Sequence, residues 1–441
     1  MFKRFKGSLW YGCAAGSLFC ALFLCACARY VRTEAHLDTF LRQGHYRQAA
    51  SFLDSNKNSY GRNNLLLYLL NKGYVLHLSG DYQQSIDVFE KAKQEYDRLY
   101  TKSVTGIVGT WLINEYTVPY RGEDFERVMI NIFQALNYSM LNNLEEALVE
   151  ARDVDLKLRL INNRYGPNEK NVYKEDAFAR FFMGILYEAQ KSREGYNDAY
   201  ISYSQAREIY RDDYVKNYNT PTPSLLEENL FAAAEFMEKG VKKAQKAEVY
   251  LIQYNGLLPL KTETAIPVPL PDGYIASLAF PQYKKRASLI QRSRFQAKNS
   301  QGADFEAETE LAEDISAIAG KNLENRKARV IIKAVAVTSA KYFAEKEVEK
   351  QIQKEHGGSA GSGFRIASSL FNLITSRADL RSWQILPSRI RIARLLLEPG
   401  EYSLAVTNFD SDGNPLGRQE IGRVRLSAGE KKFCIARGII R

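Results

Sequence analysis

The strongest constraint on this chain is a spacing. From Leu66 to Leu99, Gly73, Gly80, Tyr82, Phe89 and Ala92 stand at places 8, 15, 17, 24 and 27 of a 34-residue frame. Between them the apolar residues recur every three or four positions, which is the period of a helix face. Two helices joined at Gly80-Asp81 satisfy both facts, with glycine in the turn and small residues where the helices approach. From Leu37 to about Lys246 the chain is rich in Leu, Ala, Glu, Gln, Lys and Tyr, so helix chemistry extends well beyond this unit.

The frame resembles the tetratricopeptide repeat. Three further stretches reuse its second-helix signature. Upstream stand Gly44, Tyr46, Ala49 and Leu53. Downstream, Asn142-Asn143-Leu144 leads to Ala147 and Ala151, and a fourth copy carries Gly184, Tyr187, Tyr196, Ala199, Tyr203 and Ala206. Four imperfect repeats predict an all-α solenoid of helical hairpins over 37–246, with the aromatic stripe packed between hairpins. The concave face of such an array is an extended groove suited to a partner peptide or helix.

The array is interrupted over 101–126, where Gly106, Gly109, Pro119 and Gly122 break any long helix. The interruption ends in Tyr120-Arg121-Gly122-Glu123-Asp124-Phe125-Glu126. Tyr120, Arg121, Glu123 and Asp124 are candidate partner-binding residues. The competing reading makes Glu123 or Asp124 a salt-bridged start of the next helix.

Behind the repeats the character changes. From Val241 onward there are 32 Lys and Arg against 21 Asp and Glu, so the net charge of +10 sits in the rear portion. A basic α+β domain over 247–441 is expected, with an anionic envelope polymer or lipid phosphates as partners ahead of nucleic acid. Glu248 to Tyr254 reads as a strand. Helices are expected over Glu306–Ala319, stopped by Gly320, over Asn325–Gln353, and over Phe364–Ser376. A glycine-rich link spans 356–363 and lacks the Lys-Ser or Lys-Thr of a phosphate loop. Alternating runs at Ile390–Leu397, Tyr402–Asn408, Glu420–Leu426 and Lys432–Ala436 predict an antiparallel sheet or small sandwich. Arg381 and Trp383 are candidates to clamp a carboxylate or stack on a sugar, against a reading as a core anchor and its paired arginine.

The first residues carry Lys3, Arg4 and Lys6, followed by 21 uncharged residues from Ser8 to Ala28. Leu24-Cys25-Ala26-Cys27 resembles a bacterial lipobox. That resemblance implies a signal peptide over 1–26, lipidation of Cys27, a tether over 27–36, and attachment to the periplasmic face of the outer membrane. The rival reading is an uncleaved anchor, since 21 residues suffice to span a bilayer. Loss of the signal peptide and acylation of Cys27 leave Cys434 as the one remaining thiol, expected to be buried and inert. Four histidines give little material for a metal centre, and no cofactor is expected.

With the anchored cysteine, the repeats, Tyr120 to Arg127, Ala378-Asp379-Leu380-Arg381-Ser382-Trp383 and Leu397-Glu398-Pro399-Gly400-Glu401-Tyr402 in that order, the chain resembles an uncharacterised family of bacterial tetratricopeptide-repeat lipoproteins. The resemblance implies an envelope protein and assigns no chemistry. The leading expectation is a non-catalytic scaffold in cell-envelope assembly, working by tethered multivalent contact with a periplasmic or outer-membrane protein. The alternatives are an assembly lipoprotein for polysaccharide or pilus export, and a glycan-binding or glycan-cleaving protein using Glu123 and Asp124. Adjacent residues rarely span the roughly 5 to 9.5 Å that paired glycosidase carboxylates need.

Overall fold

Gly80 adopts a left-handed φ of 84°, ending the helix Leu65–Ser79 (α4) and turning the chain into Tyr82–Thr101 (α5). Gly73 lies so close to the Phe89 ring that an added Cβ would stand 2.6 Å from it, so the glycine is where the two helices touch. The computed structural model describes residues 30–101, 118–163, 172–239, 246–269, 275–358 and 377–438.

The same local logic builds the other hairpins. Residues 30–42 (α1) turn at Gly44, φ 72°, into Tyr46–Ser55 (α2), and the short Lys57–Tyr60 (α3) leads on to α4. Asp124–Met140 (α6) turns at Asn142, φ 59°, into Leu144–Asn162 (α7), capped by the Asn143 side chain on the Glu146 N–H. Ala177–Glu188 (α8) turns at Lys191 into Arg193–Ile209 (α9), capped by Ser192, and Gly184 meets Tyr203 as Gly73 meets Phe89. A π-helical turn Tyr210–Tyr214, the short Val215–Tyr218 (α10) and Ser224–Lys239 (α11) complete the helical part.

Strands begin at Ala247–Asn255 (β1) and continue as Leu260–Pro269 (β2), Ile275–Lys284 (β3), Arg292–Asn299 (β4), Asp304–Glu308 (β5) and Glu310–Glu313 (β6). After the helix Ile315–His356 (α12) come Arg389–Leu397 (β7), Gly400–Phe409 (β8), Pro415–Leu426 (β9) and Lys431–Gly438 (β10). One sheet has the order β10-β1-β7-β6, a second β5-β4-β8-β9, and β2-β3 forms a separate hairpin. The expected four rear strands are present, but the first sheet is not purely antiparallel, because β10 pairs parallel to β1.

Alternation along β1 decides the architecture. Val249 and Leu251 join Phe295, Ala297, Leu404, Val406 and Cys434 in a core between the two sheets. Tyr250, Ile252 and Tyr254 point the other way, into a continuous core with the helices. The chemistry changes at residue 247, yet the helical and β parts share that core. The first helices of three hairpins carry the contact: Tyr74 and His77 on α4 and Phe133 on α6 meet Tyr254, and Phe182 on α8 meets Phe433. These faces of α4, α6 and α8 are covered by the chain's own sheet.

Three expectations are corrected. The helix expected from Glu306 is a pair of strands up to Glu313. Its alternating residues pair with β4 and β7, so sheet formation overrides local helix propensity. Gly320 does not stop a helix: α12 starts at Ile315, capped by Asp314 on the Ala317 N–H at 2.8 Å, and runs 42 residues. A glycine inside a helix costs only about 1 kcal/mol, too little to break one this long. The segment 30–36, expected as tether, is helical, with Tyr30 and Glu34 buried against Tyr60. The signal peptide, Cys27 and the expected helix Phe364–Ser376 lie outside the described residues, as does the link beyond Gly358.

Candidate functional site

The two internal motifs singled out in the sequence meet. Gly122, at φ 74°, brings Glu123 to the start of α6, and the Glu126 side chain folds back to accept from the Glu123 N–H at 3.1 Å. The same carboxylate oxygen accepts from the Tyr120 hydroxyl at 2.6 Å, and its partner oxygen accepts from the Trp383 N–H at 2.6 Å. Glu126 is fully buried. Burial pushes its carboxyl up to about 7, against the lowering effect of the Trp383, Tyr120 and Lys261 contacts.

Arg381 clamps three segments at once. Its Nε and Nη2 form a fork on Asp379 at 2.9 and 2.8 Å, while Nη1 donates to Asn64 Oδ1 at 3.1 Å and to the Val118 carbonyl at 3.0 Å. The guanidinium lies 5.5 Å from the centre of the Tyr120 ring. A planar five-donor group suits such multidentate work, which a lysine could not reproduce. Burial alone would raise the Asp379 carboxyl, but hydrogen bonding and charge from Arg381 hold it below the ordinary aspartate value.

Two cations close the junction from the rear domain. Lys261 on β2 donates to Glu123 and, at 3.0 Å, to the Arg381 carbonyl. Arg326 on α12 also donates to Glu123. The Trp383 ring stands edge-on to Tyr74, Phe89 and Phe133, with centroids 5.8 to 6.0 Å away. It therefore anchors the helix-sheet core.

A second buried network runs beside it. Burial holds His77 down at about 4, opposed by its Asn137 hydrogen bond, so the ring is neutral. Asn137 Oδ1 can only accept, so His77 donates from Nδ1 at 2.6 Å, and Nε2 accepts the Tyr254 hydroxyl at 2.8 Å. Asn137 donates onward to Ser85, which donates to the Gly73 carbonyl. Helix α4, helix α6 and strand β1 are thus tied by one polar chain.

The structure places the sequence candidates unequally. Tyr120, Glu123, Arg381 and Trp383 converge, but all are buried, Trp383 and Arg381 at 0% and 2% exposure. They are internal ligands rather than surface contacts, and Glu123 is occupied by two cations. Arg121 and Asp124 are half-exposed at the rim. The Trp383 ring offers no exposed face, and the two Glu123 oxygens are taken by Lys261 and Arg326. Glu126 and Asp379 lie inside the two sequence motifs, and the signal for Asp379 was its place two residues before Arg381. Lys261, Arg326 and Asn64 carried no signal. Among the described residues no three His, Cys, Asp or Glu side chains form a metal-ligand group. Cys434 is buried in the sandwich, its thiol pushed up by burial.

No protein-family profile matches the chain. No curated protein sequence matches it. Among solved structures, BtubC (BKLC) from P. vanneervenii is 13% identical, with a TM-score of 0.33, over 47% of this chain and 74% of that one. The MamA RS-1 ArsTM double mutant is 15% identical, with a TM-score of 0.25, over 48% of this chain and 95% of that one. Likenesses this weak carry no argument about function.

Proposed function

We propose that the protein is a non-catalytic scaffold of the cell envelope, lipid-anchored through Cys27 on the periplasmic face of the outer membrane. Its tetratricopeptide-like hairpins would hold a partner protein. The observation that carries this reading is a division of labour. The motif residues with chemical potential are used up as ligands of a buried junction, while bulky apolar residues stand on the outer helix surface. Val149, Leu156 and Leu160 on α7 are 54%, 46% and 43% exposed, and their spacing of seven and four puts them on one stripe. Contiguous exposed apolar surface is a mark of protein interaction sites.

In-cell crosslinking tests the reading. Val149→Glu with Leu156→Glu should abolish capture of an envelope partner while membrane fractionation is unchanged. Undiminished capture, or hydrolysis of purified sacculi by the wild-type chain, would reject it.

A further inference from the structure

Beneath the π-helical turn Tyr210–Tyr214 the chain buries two carboxylates and gives neither a cation. Asp176, at the start of α8, and Glu313, at the end of β6, are both 0% exposed. Asp176 accepts from the Ala179 N–H at 2.6 Å and from the Tyr173 hydroxyl at 2.5 Å. The Tyr214 hydroxyl takes the neighbouring Ala177 N–H at 3.2 Å and donates to Glu313 Oε1 at 3.2 Å, so one phenol spans the gap between the two acids. Glu313 Oε2 and the Tyr218 hydroxyl are buried without a hydrogen-bond partner. A charged oxygen in such a place costs far more than a neutral one.

The surroundings do not supply the missing positive charge. Asp155 on α7 faces Asp176 and is matched by Arg180 at 2.7 Å, while Asp314 beside Glu313 is matched by Arg389 at 3.1 Å. Arg391 on β7 is engaged by Thr309, and Glu310 on β6 accepts from the Ser224 and Leu225 N–H groups. Lys174 and Glu175 stand exposed, and Asp213 is held by Asn217. Burial therefore pushes Asp176 up to about 6 and Glu313 well above the ordinary glutamate value, the charge of Asp176 adding to the second shift.

The acids sit under a cover. Strand β6 is at the edge of its sheet, and the segment 210–219 lies on it, Tyr210 donating to the Ala312 carbonyl at 2.7 Å and Tyr214 to Glu313. That cover is a π-helical turn, the four residues of α10 and a left-handed Asn219 at φ 52°. Short irregular elements of this kind are where a fold opens locally.

We infer that Asp176 and Glu313 form a proton-operated clasp on the edge of β6: while Glu313 holds its proton, residues 210–219 stay seated on the strand, and when Glu313 is ionised beside Asp176 they lift from it. The direction follows from linkage. The raised carboxyl favours the closed form below its ordinary value of 4.5, and that preference is lost as pH rises to the folded value. The clasp operates whether or not Cys27 is acylated.

Hydrogen exchange on the full chain, corrected for the intrinsic pH dependence of amide exchange, is read by mass spectrometry from pH 6 to pH 9. Asp176 is ionised over this range, so the remaining change reports Glu313. Peptides covering 210–219 and 310–313 should lose protection relative to α4 by about tenfold or more, since one linked proton changes an opening equilibrium by up to about tenfold per pH unit. In Glu313→Gln the loss should vanish. In Asp176→Asn, which keeps a side chain able to cap α8, the loss should level off at a lower pH than in the wild type, because the like charge is gone; this arm decides the matter even where Glu313→Gln does not fold. Equal loss in Glu313→Gln, no loss in the wild type, loss shared evenly by α4, or an unmoved curve in Asp176→Asn would each overturn the clasp.

Discussion

Glu126 and Trp383 are 257 residues apart in sequence and meet at 2.6 Å, the carboxylate of one accepting from the backbone N–H of the other. The contact joins the first turn of α6 to the loop before β7, so the helical array and the sheet are latched by a group that can carry a proton.

That latch makes stability depend on pH. The folded Glu126 carboxyl titrates at about 7 because burial penalises its charge, against 4.5 ordinarily. Between those values the folded chain holds the proton more tightly than the unfolded one, so this residue's contribution falls as pH rises from about 4.5 to about 7. The gap corresponds to roughly 3 kcal/mol. Urea unfolding across that range should show the wild type losing stability relative to Glu126→Gln, which stays neutral throughout. Parallel curves would refute the assignment.

Removing the Arg381 side chain should be costly. Arg381→Ala leaves Asp379 without its fork and frees Asn64 and the Val118 carbonyl, and breaking a buried ion pair costs about 3 to 5 kcal/mol. Arg381→Lys should recover less than half of the loss, because an ammonium cannot serve all three segments. Full recovery of the denaturation midpoint by lysine would show that charge alone matters.

The legible part of this molecule was local. Glycine and aromatic spacing pointed to the hairpins because Gly73 against Phe89 and Gly184 against Tyr203 are contacts within one hairpin. Period-two runs gave β7 to β10 for the same reason. Long-range pairing was not legible: β5 and β6 read as helix from their Ala and Glu content, and only partners on β4 and β7 make them strands. Arg381 and Trp383 stood out in the sequence as candidates for a ligand, but nothing in one sequence says that the Arg381 fork closes on Asp379 and Asn64 and the Trp383 ring on Tyr74, Phe89 and Phe133.

Glycine substitutions separate the two kinds of site. Gly184→Ala places a Cβ 2.3 Å from the Tyr203 ring and should destabilise by about 1 to 3 kcal/mol. Gly320→Ala, inside α12 with open space around the added carbon, should stabilise by about 0.5 to 1 kcal/mol. Thermal melts of the two variants should move in opposite directions; a shared direction would contradict the packing described.

Cys434 should be silent until the sandwich opens. Its sulfur is buried 3.4 Å from the Tyr250 carbonyl, and burial disfavours the thiolate. An aromatic disulfide reagent at pH 8 should modify it only at the rate of unfolding, and modification faster than unfolding would place it elsewhere.

The central claim is that helices and sheet are one cooperative body closed around Trp383. Hydrogen exchange read by mass spectrometry on Trp383→Phe tests it most directly. The slowest amides of α4 and of β1 should accelerate by the same factor. Acceleration confined to β1, β7 and β10, with α4 and α6 unchanged, would contradict it.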